Sequence, residues 1–284
     1  MIATTGFFDG VHAGHRLVIK RLVSAAKARG DESLVVTFWP HPRAVLQDGA
    51  RDLRLLTTLG EKKRMLEELG VDRIEVLGFS REFASLTAAE YLQDVLQRRF
   101  GVTTLFVGYD NRLGSDRLTA ASLKAIARRF GMEVEELPPL GDISSTKIRR
   151  TLEEGRVTDA AAMLGYGYSL EGVVVAGNRL GRTIGFPTAN MQLYEPLKLV
   201  PAHGVYAVEA EVVGKTLRGM TNIGTRPTVG GTVPTIETHL LDFDEDIYGL
   251  PLRITFLRRI RDEIRFPSLE ALRRQLEKDR EACR

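Results

Sequence analysis

Residues 4–16 read TTGFFDGVHAGHR. The stretch follows a short apolar run from Met1 and precedes a helical periodicity, so it spans the turn from a first strand into a first helix. Backbone N–H groups at a helix start bind anions, and Gly6, Gly10 and Gly14 let a phosphate approach closely. His12 and His15 stand three apart at this turn. They can donate to phosphate oxygens and to the charge that develops on an attacked phosphorus. Two other readings compete. A metal pair needs a third ligand and a supporting carboxylate, a place Asp9 could take. For an isolated H-x-x-H, the default is that one histidine caps the helix and the other packs.

Outward from this turn the chain alternates strand and helix. SLVVTFW, DRIEVLGF, VTTLFVGYD and MEVEELP read as strands; HRLVIKRLVSAAKARG, GEKKRMLEELG, LTAAEYLQDVLQRRFG and LTAASLKAIARRFG read as helices. In the first helix Leu17, Leu22, Val23 and Ala26 share a face, and Thr87 and Glu90 have capping-box spacing. Such alternation predicts an open parallel sheet with helices on both faces and ligands beyond the strands' carboxyl ends. ISSTKIRRTLEEGRVTDAAAML predicts two short helices. After Gly165 the grammar changes to strand-like runs split by Gly, Pro and Asp turns, closed by one helix capped at Ser268, with Leu269, Leu272 and Leu276 inward. The fold class is α/β plus all-β: domain 1–165 Rossmann-like, domain 166–284 a small antiparallel barrel with a C-terminal helix.

The chain has 284 residues, 43% hydrophobic and 27% charged, with 40 basic against 37 acidic side chains. That balance predicts packed cores and excludes general disorder. No block of like charge and no aromatic-rich basic stripe appears, which argues against a nucleic-acid partner. The single cysteine, Cys283, excludes an internal disulfide. No secretory signal is visible and no apolar run reaches the ~20 residues that span a bilayer, so the expectation is a cytoplasmic protein without a membrane partner. An oligomer is compatible with the sequence, which does not specify one.

ISSTKIRR supplies a second anion cradle: Ser144, Ser145 and Thr146 are cap formers, followed by Lys147, Arg149 and Arg150. Two phosphate-type helix starts at the first and last strands of one sheet make mere capping a poorer account. GFFDGVHAGHR, TFWPHPR, FSREFASLTAAEYL, VGYDNRLG and ISSTKIR, in this order, resemble the adenylyltransferase half of the prokaryotic bifunctional riboflavin kinase/FMN adenylyltransferases, an H-x-G-H nucleotidyltransferase. The resemblance implies that His12 and His15 act on the ATP phosphates as FMN phosphate attacks the α-phosphorus. It also implies that Gly6, Asp9 and Gly14 shape that cradle, that Ser145, Thr146 and Arg149 hold the outer phosphates, and that Asp110 lies at the nucleotide or flavin edge. GYDNRLG departs from the family pattern at Asn111 and Leu113, which replace aromatic residues. His41, between two prolines, reads as a structural turn.

The second half carries GNRLGRTIGFPTAN, with Gly177, Gly181 and Gly185 four apart. This is neither G-x-G-x-x-G nor a P-loop, and GKT at Gly214 lacks the earlier glycine. Thr188 and Asn190 offer two neutral oxygens on one face of an extended segment, suited to Mg²⁺ held mostly by substrate phosphates. Glu237, in PTIETHLLDF, would be a base for a primary hydroxyl if it faced that site. GRTIGFPTAN, HGVYAV, GMTNIGTRPTVGG, ETHLLDFDEDIYG and RDEIRFPSLEALRRQLEKD together resemble the riboflavin kinase module. This implies phosphorylation of riboflavin by ATP, with Thr188 and Asn190 on Mg²⁺ and phosphate and Glu237 as general base. Gly177, Gly181 and Arg182 would cover the nucleotide, and Asn222, Thr225 and Arg226 would line the flavin. Two alternatives fit the same residues: a riboflavin kinase with a degenerate first half, and a non-catalytic flavin-binding protein.

Overall fold

The computed structural model describes residues 1–46, 53–109, 111–177, 180–228 and 231–284. The chain divides into two compact units, Met1–Ser145 and Thr146–Arg284. In the first, the order is β1 (Ile2–Thr5), α1 (Ala13–Arg29), β2 (Ser33–Trp39), α2 (Pro42–Leu46), α3 (Leu59–Glu68), β3 (Arg73–Gly78), α4 (Arg81–Ser85) and α5 (Ala88–Glu90). α5 runs on as π-helical turns over Tyr91–Arg99, followed by β4 (Thr104–Gly108), α6 (Ala120–Arg128) and β5 (Glu133–Leu137). The five strands form one sheet ordered β3-β2-β1-β4-β5, every pair parallel.

Strand side chains alternate between two cores. Ala3, Leu34, Val36, Leu105 and Val107 pack against Leu92, Leu96, Leu123 and Ala127 on one face. Ile2, Val35 and Phe106 pack against Ile19, Leu22 and Leu66 on the other. The inward stripe of α1 is Ile19, Leu22 and Ala26; Leu17 and Val23, expected on it, are only half-buried. The 3-and-4 spacing of the buried set seats the helix on the sheet and leaves Leu17 and Val23 at the flanks. Thr87 and Glu90 do form a reciprocal capping box. Strand order reverses between β1 and β4, so the crevice beyond their carboxyl ends is where the doubly wound fold binds ligands.

α7 (Ser145–Glu153) opens at the division between the units. The second unit continues with α8 (Val157–Leu164), β6 (Ser169–Val175), α9 (Leu180–Thr183), β7 (Ala189–Leu193), β8 (Gly204–Val212), β9 (Lys215–Thr228), β10 (Gly231–Leu240), β11 (Pro251–Arg261) and α10 (Leu269–Cys283). The strands close an antiparallel barrel, β10-β7-β6-β11-β8-β9. The division falls earlier than the change of grammar near Tyr166 because α7 is tied to barrel connections: Ala202 N donates to Leu152 O at 3.1 Å.

Ser268 caps α10, its Oγ accepting from Ala271 N at 3.2 Å. Leu269, expected inward, is 53% exposed. α10 instead docks through Leu276 and Cys283 on Phe186, Val205, Ala207, Met220 and Leu241. Asp279, 1% exposed, meets the Arg261 guanidinium at 2.7 Å. The first helical turn therefore projects past the core and the ion pair fixes the far end.

Candidate functional site

Beyond β1 the chain turns through backbone that L-residues avoid: Phe8 at φ 48°, Gly10 at 81° and Val11 at 34°. A non-glycine residue in the left-handed region costs about 1–2 kcal/mol, so the surroundings must hold it there. Asp9 does so. Its buried carboxylate accepts from Leu56 N at 3.0 Å, Thr57 N at 3.1 Å and Thr57 Oγ1 at 3.3 Å, while Gly10 N donates to Thr57 Oγ1 at 3.0 Å. Asp9 is the anchor of the turn.

The turn delivers the two histidines to the start of α1. His12 is the N-cap; its Nδ1 accepts from His15 N at 3.4 Å, which leaves Nε2 as the nitrogen of this ring that can donate. The rings stack, centroids 3.6 Å apart and planes 20° from parallel. Gly14 permits this, since a Cβ there would lie 3.3 Å from His12 Cε1 and Nδ1. Gly6 likewise leaves room for Phe8, whose ring meets His15 edge-on at 5.3 Å. Burial holds the His15 pKa well below 6.5, helped by the charges of His12 and Lys62, so the ring is neutral. Among the described residues its buried Nδ1 has no hydrogen-bond partner.

The Oγ of Ser145, the last residue of the first unit, donates to Asp9 O in the histidine turn at 3.0 Å. Thr146 and Arg149 follow in the first turns of α7. At the crevice beyond β4, Asn111 Nδ2 donates to Thr5 O at 3.4 Å and Leu113 packs on the core. Asp110 lies outside the described residues. His41 accepts from Arg43 N at 3.2 Å through Nδ1 and lies 4.7 Å from the Phe7 ring, the geometry of a structural turn.

Sequence reasoning missed Lys62. It is 4% exposed, and burial lowers its pKa to about 8 against the opposing pull of Asp9. Its signal was its place four residues before Leu66, on the inward stripe of α3.

In the barrel, register does what spacing could only suggest. Glu237 of β10 pairs with Asn190 of β7 on one side and with Asn222 of β9 on the other. Residues directly opposite in antiparallel strands share a face, so the three polar side chains form one row. His239, two along, shares that face and pairs with Met220 beneath α10, which sets the row on the barrel's outer surface. Thr188 Oγ1 donates to Glu237 Oε2 at 3.5 Å. Gly177 and Gly181 hold the preceding loop close: a Cβ on Gly177 would fall 2.2 Å from Asn190 Nδ2, and one on Gly181 would fall 2.1 Å from Phe186 O. His239 Nδ1 donates to Pro187 O at 2.8 Å and steadies the carbonyl just before Thr188.

A cavity of ≈ 290 Å³ is lined by Thr188 together with Arg182, Ala189, Thr238, Phe243 and Tyr248 among others, and by none of the three row residues. Thr225 is exposed, and the Arg226 side chain lies outside the described residues. Glu263, also missed, reaches over Gly224, its Oε1 2.7 Å from where a Cβ would sit. Among the described residues no group of three or more His, Cys, Asp or Glu could hold a metal. The donors that converge are hydroxyl, amide and one carboxylate oxygen.

An FAD synthetase family model matches residues 1–152, and a riboflavin kinase family model matches residues 164–284. The bifunctional riboflavin kinase/FMN adenylyltransferase of Escherichia coli (strain K12) is 39% identical over 284 residues, 98% of this chain and 90% of that protein. That of Bacillus subtilis (strain 168) is 36% identical over 99% of this chain and 90% of that protein. The chain belongs to this bifunctional family. A solved structure described as a macrolide-efflux protein from Streptococcus pneumoniae matches with TM-score 0.93 and 36% identity, over 99% of this chain and 93% of that one. Among the described residues no helix is long and apolar enough to cross a membrane. Membership of the family makes the chain a transferase with a nucleotidyltransferase part and a kinase part, and both parts keep the fold read from the sequence.

Proposed function

We propose that the barrel transfers the γ-phosphoryl of ATP to riboflavin, giving FMN and ADP, and that the first unit joins FMN to the adenylyl group of a second ATP, giving FAD and pyrophosphate. The observation that carries this reading is the Asn190–Glu237–Asn222 row with Thr188 against Glu237, in the same chain as a stacked histidine pair at a helix start.

In the kinase step Glu237 takes the proton of the attacking hydroxyl. The Thr188 hydroxyl, donating to Glu237 Oε2 at 3.5 Å, holds that carboxylate in place for the transfer. Thr188 and Asn190 fit Mg²⁺ as hard neutral oxygens in a cradle that a Cβ on Gly177 would fill. The ion, bound chiefly by nucleotide phosphates, would neutralise their charge. Gly177, Gly181 and Arg182 cover the nucleotide, and Asn222, Thr225 and Arg226 line the flavin. Phosphoryl transfer rests mainly on positioning and charge, so so sparse a donor set suffices.

In the adenylyl step an FMN phosphate oxygen bonds to the α-phosphorus and the bond to the β-phosphate bridging oxygen breaks. His12 and His15 donate to the phosphate oxygens on which charge grows. Ser145, with Thr146 and Arg149 on the helix it opens, holds the outer phosphates. Asp110 is assigned to the nucleotide or flavin edge. The partners are thus small molecules in the cytoplasm.

The test is chromatography of FMN and FAD after incubation with riboflavin, ATP and Mg²⁺. His12→Ala is expected to abolish FAD formation and spare FMN formation; Glu237→Ala is expected to do the reverse for its own step. Each loss should be on the order of 10²–10³. A parent protein that makes FMN but no FAD leaves only the kinase. One that makes neither leaves a flavin-binding protein.

A further inference from the structure

Lys62 sits where a lysine is hard to justify by stability. It is the fourth residue of α3, counting from Leu59, near the positive end of the helix dipole, where cations are disfavoured. It is 4% exposed, and burying an ammonium without compensation is expensive. An ammonium has three donors. One reaches Thr37 Oγ1 at 3.3 Å, and the Phe7 ring lies 5.7 Å from Nζ. Among the described residues no carboxylate pairs with Lys62. Asp9 is near enough to favour the charged form, but its oxygens already accept from Leu56 and Thr57.

The charge is nonetheless aimed at useful ground. Beyond the carboxyl ends of β1 and β2, beside the turn that carries the histidines, Lys62 lines a narrow, nearly closed crevice with Phe7, Asp9, Trp39, His41 and Thr57, which would have to widen to admit a phosphate. It is close enough to His15 to depress that ring's pKa. Adverse placement, an under-used donor set and a cleft at the ligand end of the sheet have one common explanation: an anion that arrives with the substrate.

We propose that Lys62 binds a phosphate oxyanion of the adenylyl-transfer reaction directly, adding a fixed positive charge to the His12–His15 pair. The inference rests on the function proposed above. Its chemistry fits the monoester phosphate of FMN or a phosphate of ATP, and kinetics separates them.

The experiment uses the full-length protein with Lys62→Met and Lys62→Arg. The Met variant should lower the kcat/KM of FAD formation by about 10²-fold or more, the usual worth of one fixed charge donor. The Arg variant should recover part of it, and FMN formation should be unchanged in both. A raised KM for FMN alone assigns the FMN phosphate; a raised KM for ATP alone assigns the nucleotide. Trp39 is the only tryptophan and lines the same cleft, so its fluorescence reports unfolding of the first unit. Because Met removes a buried charge, the Trp39 unfolding midpoint should hold or rise. A Met variant that makes FAD at the parent's rate overturns the proposal, as does one whose midpoint falls along with its activity, which would make Lys62 structural. If the parent makes no FAD, it is the underlying function that fails.

Discussion

His15 shows how much one side chain depends on its setting. The sequence left it able to act protonated or neutral; burial beside His12 and Lys62 makes it neutral. A histidine whose folded pKa lies below 6.5 binds fewer protons folded than unfolded just under that pH. Stability therefore rises with pH through the window, is fully present above about 6.5, and drains as pH falls below it. The Trp39 unfolding midpoint of the parent should fall on acidification below pH 6.5, and His15→Gln should flatten that fall. Equal slopes in the two proteins would place the sensitivity elsewhere. The residue types of the site were legible; their roles were legible only in part. Asp9 looked like a ligand or cradle residue in a string of letters, but its acceptors are spent on Leu56 and Thr57, contacts nearly fifty positions away that no local pattern announces. Lys62 was hidden for the complementary reason, since a lysine in a charged helix reads as solvated until packing buries it.

At the scale of elements, glycines decide what the helix start and the loop can present. Gly14 lies within α1, where alanine is preferred by roughly 1 kcal/mol. A Gly14→Ala change should thus leave the first unit folded, or firm it slightly, while its Cβ presses the His12 ring out of its stack. We expect FAD formation to drop at least about tenfold with FMN formation intact, the tenfold corresponding to only ~1.4 kcal/mol of lost stabilisation. Gly177→Ala should give the mirror image, because its Cβ would overlap the Asn190 amide. Both are read by assaying the two products in one reaction; a Gly14→Ala protein with parental FAD synthesis would show that the stacked arrangement is dispensable. Most elements were written plainly in the sequence: alternation gave the parallel sheet, and the Ser268 and Thr87 caps stand where they were expected. β7 was not, being read only as an extended segment, because PTAN lacks the apolar run that marks a strand and owes its conformation to pairing with β6 and β10. The π-helical turns at Tyr91–Arg99 also leave no periodic trace, and the exposure of Leu269 follows from where the Arg261–Asp279 pair pins α10.

At the scale of the whole chain, the proposed function draws its two activities from different residues. Thr188, Asn190, Asn222 and Glu237 stand on or beside neighbouring barrel strands. His12, His15 and Lys62 stand on the first unit's helices at the ligand end of its sheet. A substitution that silences one set has no chemical reason to silence the other. If FMN made at the barrel leaves as a free molecule before the adenylyl step, any protein molecule with an intact first site can take it up. Mixing the His12→Ala and Glu237→Ala proteins should therefore restore FAD synthesis from riboflavin, although neither makes it alone. The mixture should show a lag, shortened by raising the concentration of the His12→Ala protein, because that partner sets how fast free FMN accumulates. Restored synthesis would mean that the two centres share a diffusing product. A mixture that makes FMN but never FAD would mean that each chain adenylylates only the FMN it has itself produced.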